Sequence, residues 1–261
     1  MNDTEVAIAA VEAGAAVVRR RFGTAMGRVE KGQLDFATDA DLESERVMTA
    51  FLREKRPADA IVGEEAGRSG PANAMRQWLI DPLCGTRNYA AGMQVVAVNA
   101  ALKADNLTLA AAVADPFTGE TFWTDGRTAS LRMSGKDDAL VPHAGTKLVD
   151  LDFDASSVSS FSTAMLALDP SFNSRFRPRV VSTTLALTWV AVGRRAAYVA
   201  DSDIRKKSVH FAAGLAICHA AGCIVTDLRG NPWEESGLGL IVAADEETHA
   251  ALLKMVRQHL K

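Results

Sequence analysis

The residues with the most chemical potential come in two short runs. Gly63-Glu64-Glu65 follows the apolar stretch Ala60 to Gly63, and Asp81-Pro82-Leu83-Cys84-Gly85-Thr86 follows Trp78 to Ile80. Carboxylates at strand ends can converge on one hard cation, which takes oxygen ligands. Pro82 stiffens the turn. Gly85 permits a close backbone approach, so the amides of Gly85 and Thr86 could hold a phosphate at a helix start. Asp39 and Asp41 add two acids ahead of a helix. Any one of these acids also reads as a helix cap or a solvated loop residue, but the ordered pair of runs is more specific than either alone.

These residues need elements to position them. Residues 3–22 read as an amphipathic helix capped by Asp3 or Thr4, with Ile8, Val11, Ala15, Val18 and Phe22 at helical spacing. A second helix spans 40–56, with Leu42, Val47, Met48, Phe51 and Leu52 as its apolar side and Pro57 at its end. Short strands are expected at 60–63 and 78–80, and a pair at 95–102 and 107–114 around a turn at 104–106. The polar stretch 136–147 suggests an irregular seam. Beyond it, strands are expected near 147–151, 180–181, 198–200 and 224–226, with helices at 183–192, 211–221 and 246–260. Strands and helices alternate irregularly, which points to a layered α/β or α+β fold. The seam suggests an N-terminal α+β half, 1–140, and a C-terminal α/β half, 141–261.

Composition sets the outer bounds. A chain of 261 residues, 48% apolar and 23% charged, suits one large domain or two intimate halves. The formal net charge of −3 gives no reason to expect a nucleic-acid or anionic-membrane surface. Arg19 to Arg21 read as a polar helix face, because no aromatic residues interleave them. Lys206 and Lys207 read as a solvated basic loop or as cleft residues that attract an anion. Three Cys without a CxxC, and an N-terminal stretch without a basic n-region, suggest a cytoplasmic protein in a reducing compartment. No apolar run approaches the length of a membrane span.

The ordered motifs resemble those of the inositol monophosphatases, a family related to the fructose-1,6-bisphosphatases. The likeness spans nearly the whole chain: Asp35-Phe36-Ala37-Thr38-Asp39-Ala40-Asp41, Gly63-Glu64-Glu65, Trp78 to Leu83, Gly85-Thr86-Arg87-Asn88-Tyr89, Val190 to Arg194, Ala212-Ala213-Gly214, and Ala221-Gly222 before Val225-Thr226-Asp227. The resemblance implies a layered αβαβα sandwich and, as a default, a homodimer. It also implies Mg²⁺-dependent hydrolysis of a small polyol, sugar or nucleoside phosphate by direct attack of water. Glu64, Asp81 and the Leu83 carbonyl match the ligands of the first Mg²⁺. Thr86, oriented by Asp41, matches the group that positions the attacking water with Glu64. The Gly85 and Thr86 amides match a phosphate cradle. Ser182, Thr183 and Asp203 fall where family members touch substrate, with Val181 at a position that the family fills with Gly.

Two departures stand out against that pattern. Cys84 and His210 occupy positions that the family fills with Asp, and both belong to the second metal. Three readings follow: a phosphatase working with one well-formed Mg²⁺ site, a second site rewritten for a softer ion such as Zn²⁺, or an inactive pseudophosphatase that serves as a binding or regulatory module. Taken singly, Cys84 also reads as a small buried thiol and His210 as a hydrogen-bonded core histidine. Cys84 as a phosphate-accepting nucleophile lacks support, because position 90 is Ala where a C-x5-R cradle needs Arg.

Overall fold

The computed structural model describes residues 1–25, 27–32, 35–105, 107–154, 161–201, 208–233 and 238–260. Two compact units emerge. The first combines Met1–Ala139 with Thr183–Leu185 and Val209–Ile217, and the second combines Leu140–Ser182, Ala186–Ser208 and Cys218–Lys261.

In the first unit, helix α1 (Asp3–Arg21) is capped by Asn2, whose side chain accepts from the Glu5 amide at 2.8 Å. The cap thus lies one residue before the expected Asp3. The expected apolar stripe is buried through Ile8, Val11, Ala15 and Val18. A hairpin of β1 (Arg28–Gly32) and β2 (Asp35–Thr38) leads into α2 (Asp39–Lys55). The main sheet then builds from β3 (Ala60–Gly63), β4 (Gly67–Ser69), β5 (Arg76–Cys84), β6 (Ala97–Ala104), β7 (Leu107–Ala114), β8 (Thr121–Thr124), β9 (Ala129–Met133) and β10 (Lys136–Ala139), in the order β10-β9-β8-β7-β6-β5-β3-β4. Short helix α3 (Thr86–Ala90) follows β5. The core joins Val11, Val18, Met48, Trp78, Ile80, Val98 and Leu102. Each such aliphatic side chain, fully buried, contributes roughly 1.5–3 kcal/mol. Small residues let the helices come close: a Cβ on Gly14 would meet Ser44 Oγ at 2.8 Å, Met48 Sδ at 2.9 Å and Val98 Cγ1 at 2.9 Å.

Helix α2 departs from the expected pattern. Its buried residues are Ala40, Asp41, Ser44, Glu45, Met48 and Leu52, whereas Leu42 is exposed and Val47 and Phe51 are only partly buried. A polar stripe turns inward because the sheet offers it partners. The β5 strand is also longer than the expected 78–80. It continues past Asp81 through a register break, with Asp81 opposite Asn99 and Cys84 opposite Ala97. Three steps on β5 therefore match two on β6, a β-bulge. The extra residue restores the alternation, so Asp81 and Cys84 face the same side although an odd spacing would normally separate them. Residues 136–139, expected as irregular, form the edge strand β10 because they pair with β9.

The second unit carries β11 (Leu148–Asp152), α4 (Thr163–Leu168), α5 (Pro170–Arg175), β12 (Arg177–Val180), β13 (Ala197–Ala200), β14 (Ile224–Thr226) and β15 (Leu240–Ala243). Its sheet order is β12-β11-β13-β15-β14, with β11 parallel to both neighbours. Parallel neighbours need crossover connections, and helices supply them. Phe172, Val199, Ile241, Leu252 and Val256 form the core beneath α8 (Glu246–His259). Two helices differ from expectation. Helix α6 (Leu185–Ala191) starts later than 183, because Thr183 and Thr184 spend their side chains on β5 instead. Helix α7 (Ser208–Ala221) starts three residues earlier than 211. No helix among the described residues is long and apolar enough to cross a membrane.

Candidate active site

One face of α2 locks both acidic runs in place. Asp41, Ser44 and Glu45 lie three and four residues apart, which puts them on the same side of a helix. Asp41, fully buried, accepts from the Thr38 amide at 2.8 Å in a capping box and from Thr86 Oγ1 at 3.0 Å. Ser44 Oγ donates to the Pro82 carbonyl at 2.9 Å, satisfying a group that the bulge withdraws from the sheet ladder. Glu45 accepts from the amides of Glu65 at 2.8 Å and Ala66 at 2.7 Å. Gly63 is glycine for a reason of space: a Cβ there would overlap the Glu45 carboxylate.

The acids converge beyond this scaffold. Asp81 is fully buried, and its Oδ1 accepts from the Leu83 amide at 3.1 Å. Its Oδ2 lies 2.8 Å from His210 Nδ1 and accepts from Asn99 Nδ2 at 3.3 Å. Glu64 Oε2 lies 3.8 Å from the same imidazole nitrogen. Burial, and after it the nearby Asp81 charge, pushes the Glu64 carboxyl up to about 8. Burial likewise raises Asp41. Lys31, on the β1 strand, bridges Glu64 at 3.1 Å and Glu65 at 2.6 Å. Burial works against its charge, but the Glu65 and Glu64 carboxylates outweigh that and raise its pKa.

The end of β5 is held just as firmly. Gly85 adopts φ 103°, in the left-handed region, and lets the chain turn into α3. Thr86 Oγ1 reaches the Leu83 carbonyl at 3.1 Å as well as Asp41. Asn88 Nδ2 donates to the Val95 carbonyl at 2.9 Å, and the Tyr89 hydroxyl donates to the Val18 carbonyl at 2.8 Å. Cys84 Sγ accepts from the Thr184 amide at 3.3 Å and lies 3.0 Å from Thr184 Oγ1. Burial, then the Asp81 charge, pushes the Cys84 thiol up, which disfavours a free thiolate nucleophile. Asp81, Cys84 and His210 each offer one ligand atom, and those atoms lie within 4.8 Å of one another.

Of the residues singled out in the sequence, Asp41, Glu64, Asp81, Leu83, Cys84, Gly85, Thr86, Thr183 and His210 all belong to the first unit. Thr183 Oγ1 donates to the Cys84 carbonyl at 3.1 Å. Ser182 belongs to the second unit, where it donates to Asp152 Oδ1 at 2.6 Å. Asp203, Lys206 and Lys207 lie outside the described residues. Sequence reasoning missed Lys31, Ser44, Glu45, Asn99 and Thr184. The spacing of Asp41, Ser44 and Glu45 on one helical face was the available signal for two of them.

The sequence pattern of the inositol monophosphatase family matches residues 2–261. Among curated relatives, the inositol-1-monophosphatase ImpA of Mycolicibacterium smegmatis is 32% identical over 249 residues, covering 88% of this chain and 83% of its own. The Nus factor SuhB of Vibrio cholerae is 30% identical over 234 residues, covering 88% and 85%. A solved Thermotoga maritima IMPase superposes with a TM-score of 0.83 at 22% identity, covering 99% of this chain and 98% of its own. The SuhB protein of Bartonella henselae superposes at 0.84 with 20% identity, covering 98% of each chain. These likenesses establish the layered α/β fold of the IMPase type. The chain belongs to the inositol monophosphatase family, a family of Mg²⁺-dependent phosphomonoesterases.

Proposed function

We propose that the protein is a phosphomonoesterase that uses Mg²⁺ to release phosphate from a small polyol, sugar or nucleoside phosphate, as a homodimer. One observation carries this reading: Glu64 and Asp81 both face His210 Nδ1, and the Asp81 charge adds to burial in raising the cost of charging Glu64. Two neighbouring carboxylates suit a hard dication, which would be held by Glu64, Asp81 and the Leu83 carbonyl. When bound, the ion would polarise phosphate oxygens and lower the pKa of water.

The chain's own groups supply the rest. Thr86 Oγ1, 3.0 Å from Asp41, would give its single hydroxyl proton to that carboxylate and keep a lone pair for a water molecule. Glu64 would take the proton from that water as it attacks phosphorus. The amides of Gly85 and Thr86 are assigned to the phosphate oxygens, and Ser182, Thr183 and Asp203 to the rest of the substrate. Phosphate release from a panel of small phosphomonoesters with Mg²⁺, set against a Glu64→Gln control, tests the proposal. Equal rates for the two proteins would end it.

A second reading has its own support. His210 Nδ1 already sits at hydrogen-bond distance from Asp81 Oδ2, and Lys31 already pairs with Glu64. An internally neutralised site of this kind suits a non-catalytic binding module. Relatives named as Nus factors stand beside those named as phosphatases. Failure of every metal to support turnover in the same panel would favour this reading.

A further inference from the structure

We propose that Asp81, Cys84 and His210 form a binding site for a borderline-soft divalent cation of the Zn²⁺ type, distinct in chemistry from a site for Mg²⁺. The inference goes beyond hydrolysis and concerns binding alone, so it stands whether or not the chain turns over a phosphoester.

The donor set selects the ion. A carboxylate oxygen, a sulfur and an imidazole nitrogen come together within 4.8 Å. Hard Mg²⁺ demands oxygen in near-octahedral array and keeps its waters. Thiolate and imidazole favour Zn²⁺ and its neighbours, which accept three protein ligands and leave a fourth position open. A tetrahedral ion with bonds of about 2.0–2.3 Å sets its donor atoms about 3.3–3.6 Å apart. The His210–Asp81 separation of 2.8 Å must widen slightly, and no other separation need shorten by more than about 1.5 Å. Side-chain rotation covers both.

The surroundings are built for the same purpose. Thr184 ties two of the donors together: its Oγ1 lies 3.0 Å from Cys84 Sγ and 2.9 Å from the His210 carbonyl, and its amide donates to the sulfur. Asn99 Nδ2 in turn reaches Thr184 Oγ1 at 3.0 Å and Asp81 Oδ2 at 3.3 Å. The Leu83 amide fixes the other Asp81 oxygen. Outer groups that orient ligands and donate to a metal-bound sulfur are the support such sites need. Binding would replace the Cys84 S–H bond with a sulfur–metal bond and release that proton to solvent, and the His210 proton held between Nδ1 and Asp81 Oδ2 would pass through solvent to Nε2, freeing Nδ1 to bind the ion.

The test uses Co²⁺ as a spectroscopic stand-in for Zn²⁺. The metal-stripped full chain is titrated with Co²⁺ and its absorption recorded. The expected result is one ion per chain, an intense near-ultraviolet sulfur-to-cobalt band, and visible bands of tetrahedral strength. Zn²⁺ should displace the ion, and a large excess of Mg²⁺ should not. Cys84→Ser should abolish the sulfur band, and His210→Asn should weaken binding by at least about tenfold. Melting curves will show that these variants fold. A second variant, Cys84→Asp, should lose the sulfur band and shift preference toward Mg²⁺. Absence of a sulfur band in the wild-type protein, an unchanged spectrum in Cys84→Ser, or ready displacement by Mg²⁺ would overturn the proposal. Because none of these readouts involves turnover, they are independent of the phosphatase assay.

Discussion

His210 Nδ1 lies 2.8 Å from Asp81 Oδ2, and Glu64 Oε2 lies 3.8 Å from the same nitrogen. An imidazole therefore faces both carboxylates that would bind a hard ion.

Acids placed at positions 84 and 210 should strengthen the hard-ion chemistry. The double variant Cys84→Asp, His210→Asp should raise Mg²⁺-dependent phosphate release by tenfold or more, since each tenfold requires only about 1.4 kcal/mol of added transition-state stabilisation. Steady-state assays across Mg²⁺ concentration check this. No gain in rate or Mg²⁺ affinity would mean that the second position does not limit the wild-type protein.

Thr86→Val keeps the side-chain volume and removes the hydroxyl that joins Asp41 to the Leu83 carbonyl. On the proposed reading, kcat should fall about 100-fold while KM changes little, because a water loses its positioning group. A change in KM alone would assign Thr86 to substrate binding instead.

Gly63→Ala probes the contact between β3 and α2. The new methyl would overlap the Glu45 carboxylate, which two amides hold in place. The expected cost is about 1–3 kcal/mol, as for other overpacked sites. Urea unfolding measures it, and an unchanged midpoint would show that Glu45 swings away freely.

Asp169 provides a prediction about pH. It caps α5, accepting from Ser171 and Phe172 amides, and it pairs with His259 at 2.7 Å. The Ser171 hydroxyl, and after it His259, hold its carboxyl far below the usual carboxylate range. A folded-state pKa below the unfolded value of about 3.9 stabilises the fold above that value, and the benefit is lost as pH falls toward the folded pKa. Asp169→Asn keeps a capping oxygen but no charge. The stability gap between wild type and variant should therefore shrink as pH drops from about 5 to about 3. Asp169→Ala, which also loses the cap, should cost about 1 kcal/mol more. Thermal melts across that range decide the matter.

Much of this was legible in the residue order. The strands that carry the chain to Glu64 and Asp81 could be read because short apolar runs there stop at acids. Helix α1 could be read because its apolar stripe has no competitor. The span of helix α2 could be read, but its inward face could not, because that face is largely polar. Leu42 and Phe51 look like core residues until the Pro82 carbonyl and the Glu65 and Ala66 amides claim Ser44 and Glu45. Lys31 was hidden for a different reason: its strand is wholly exposed and has no alternation to reveal it. Thr184 was hidden because apolar spacing extends a helix through it, while its side chain serves Cys84.

The bulge at Pro82 has a consequence for how this protein can change. Because the extra residue is absorbed between Asp81 and Cys84, position 84 is brought onto the same side of the sheet as position 81. Removal of one residue between them would turn the side chain at 84 to the opposite face, away from Asp81.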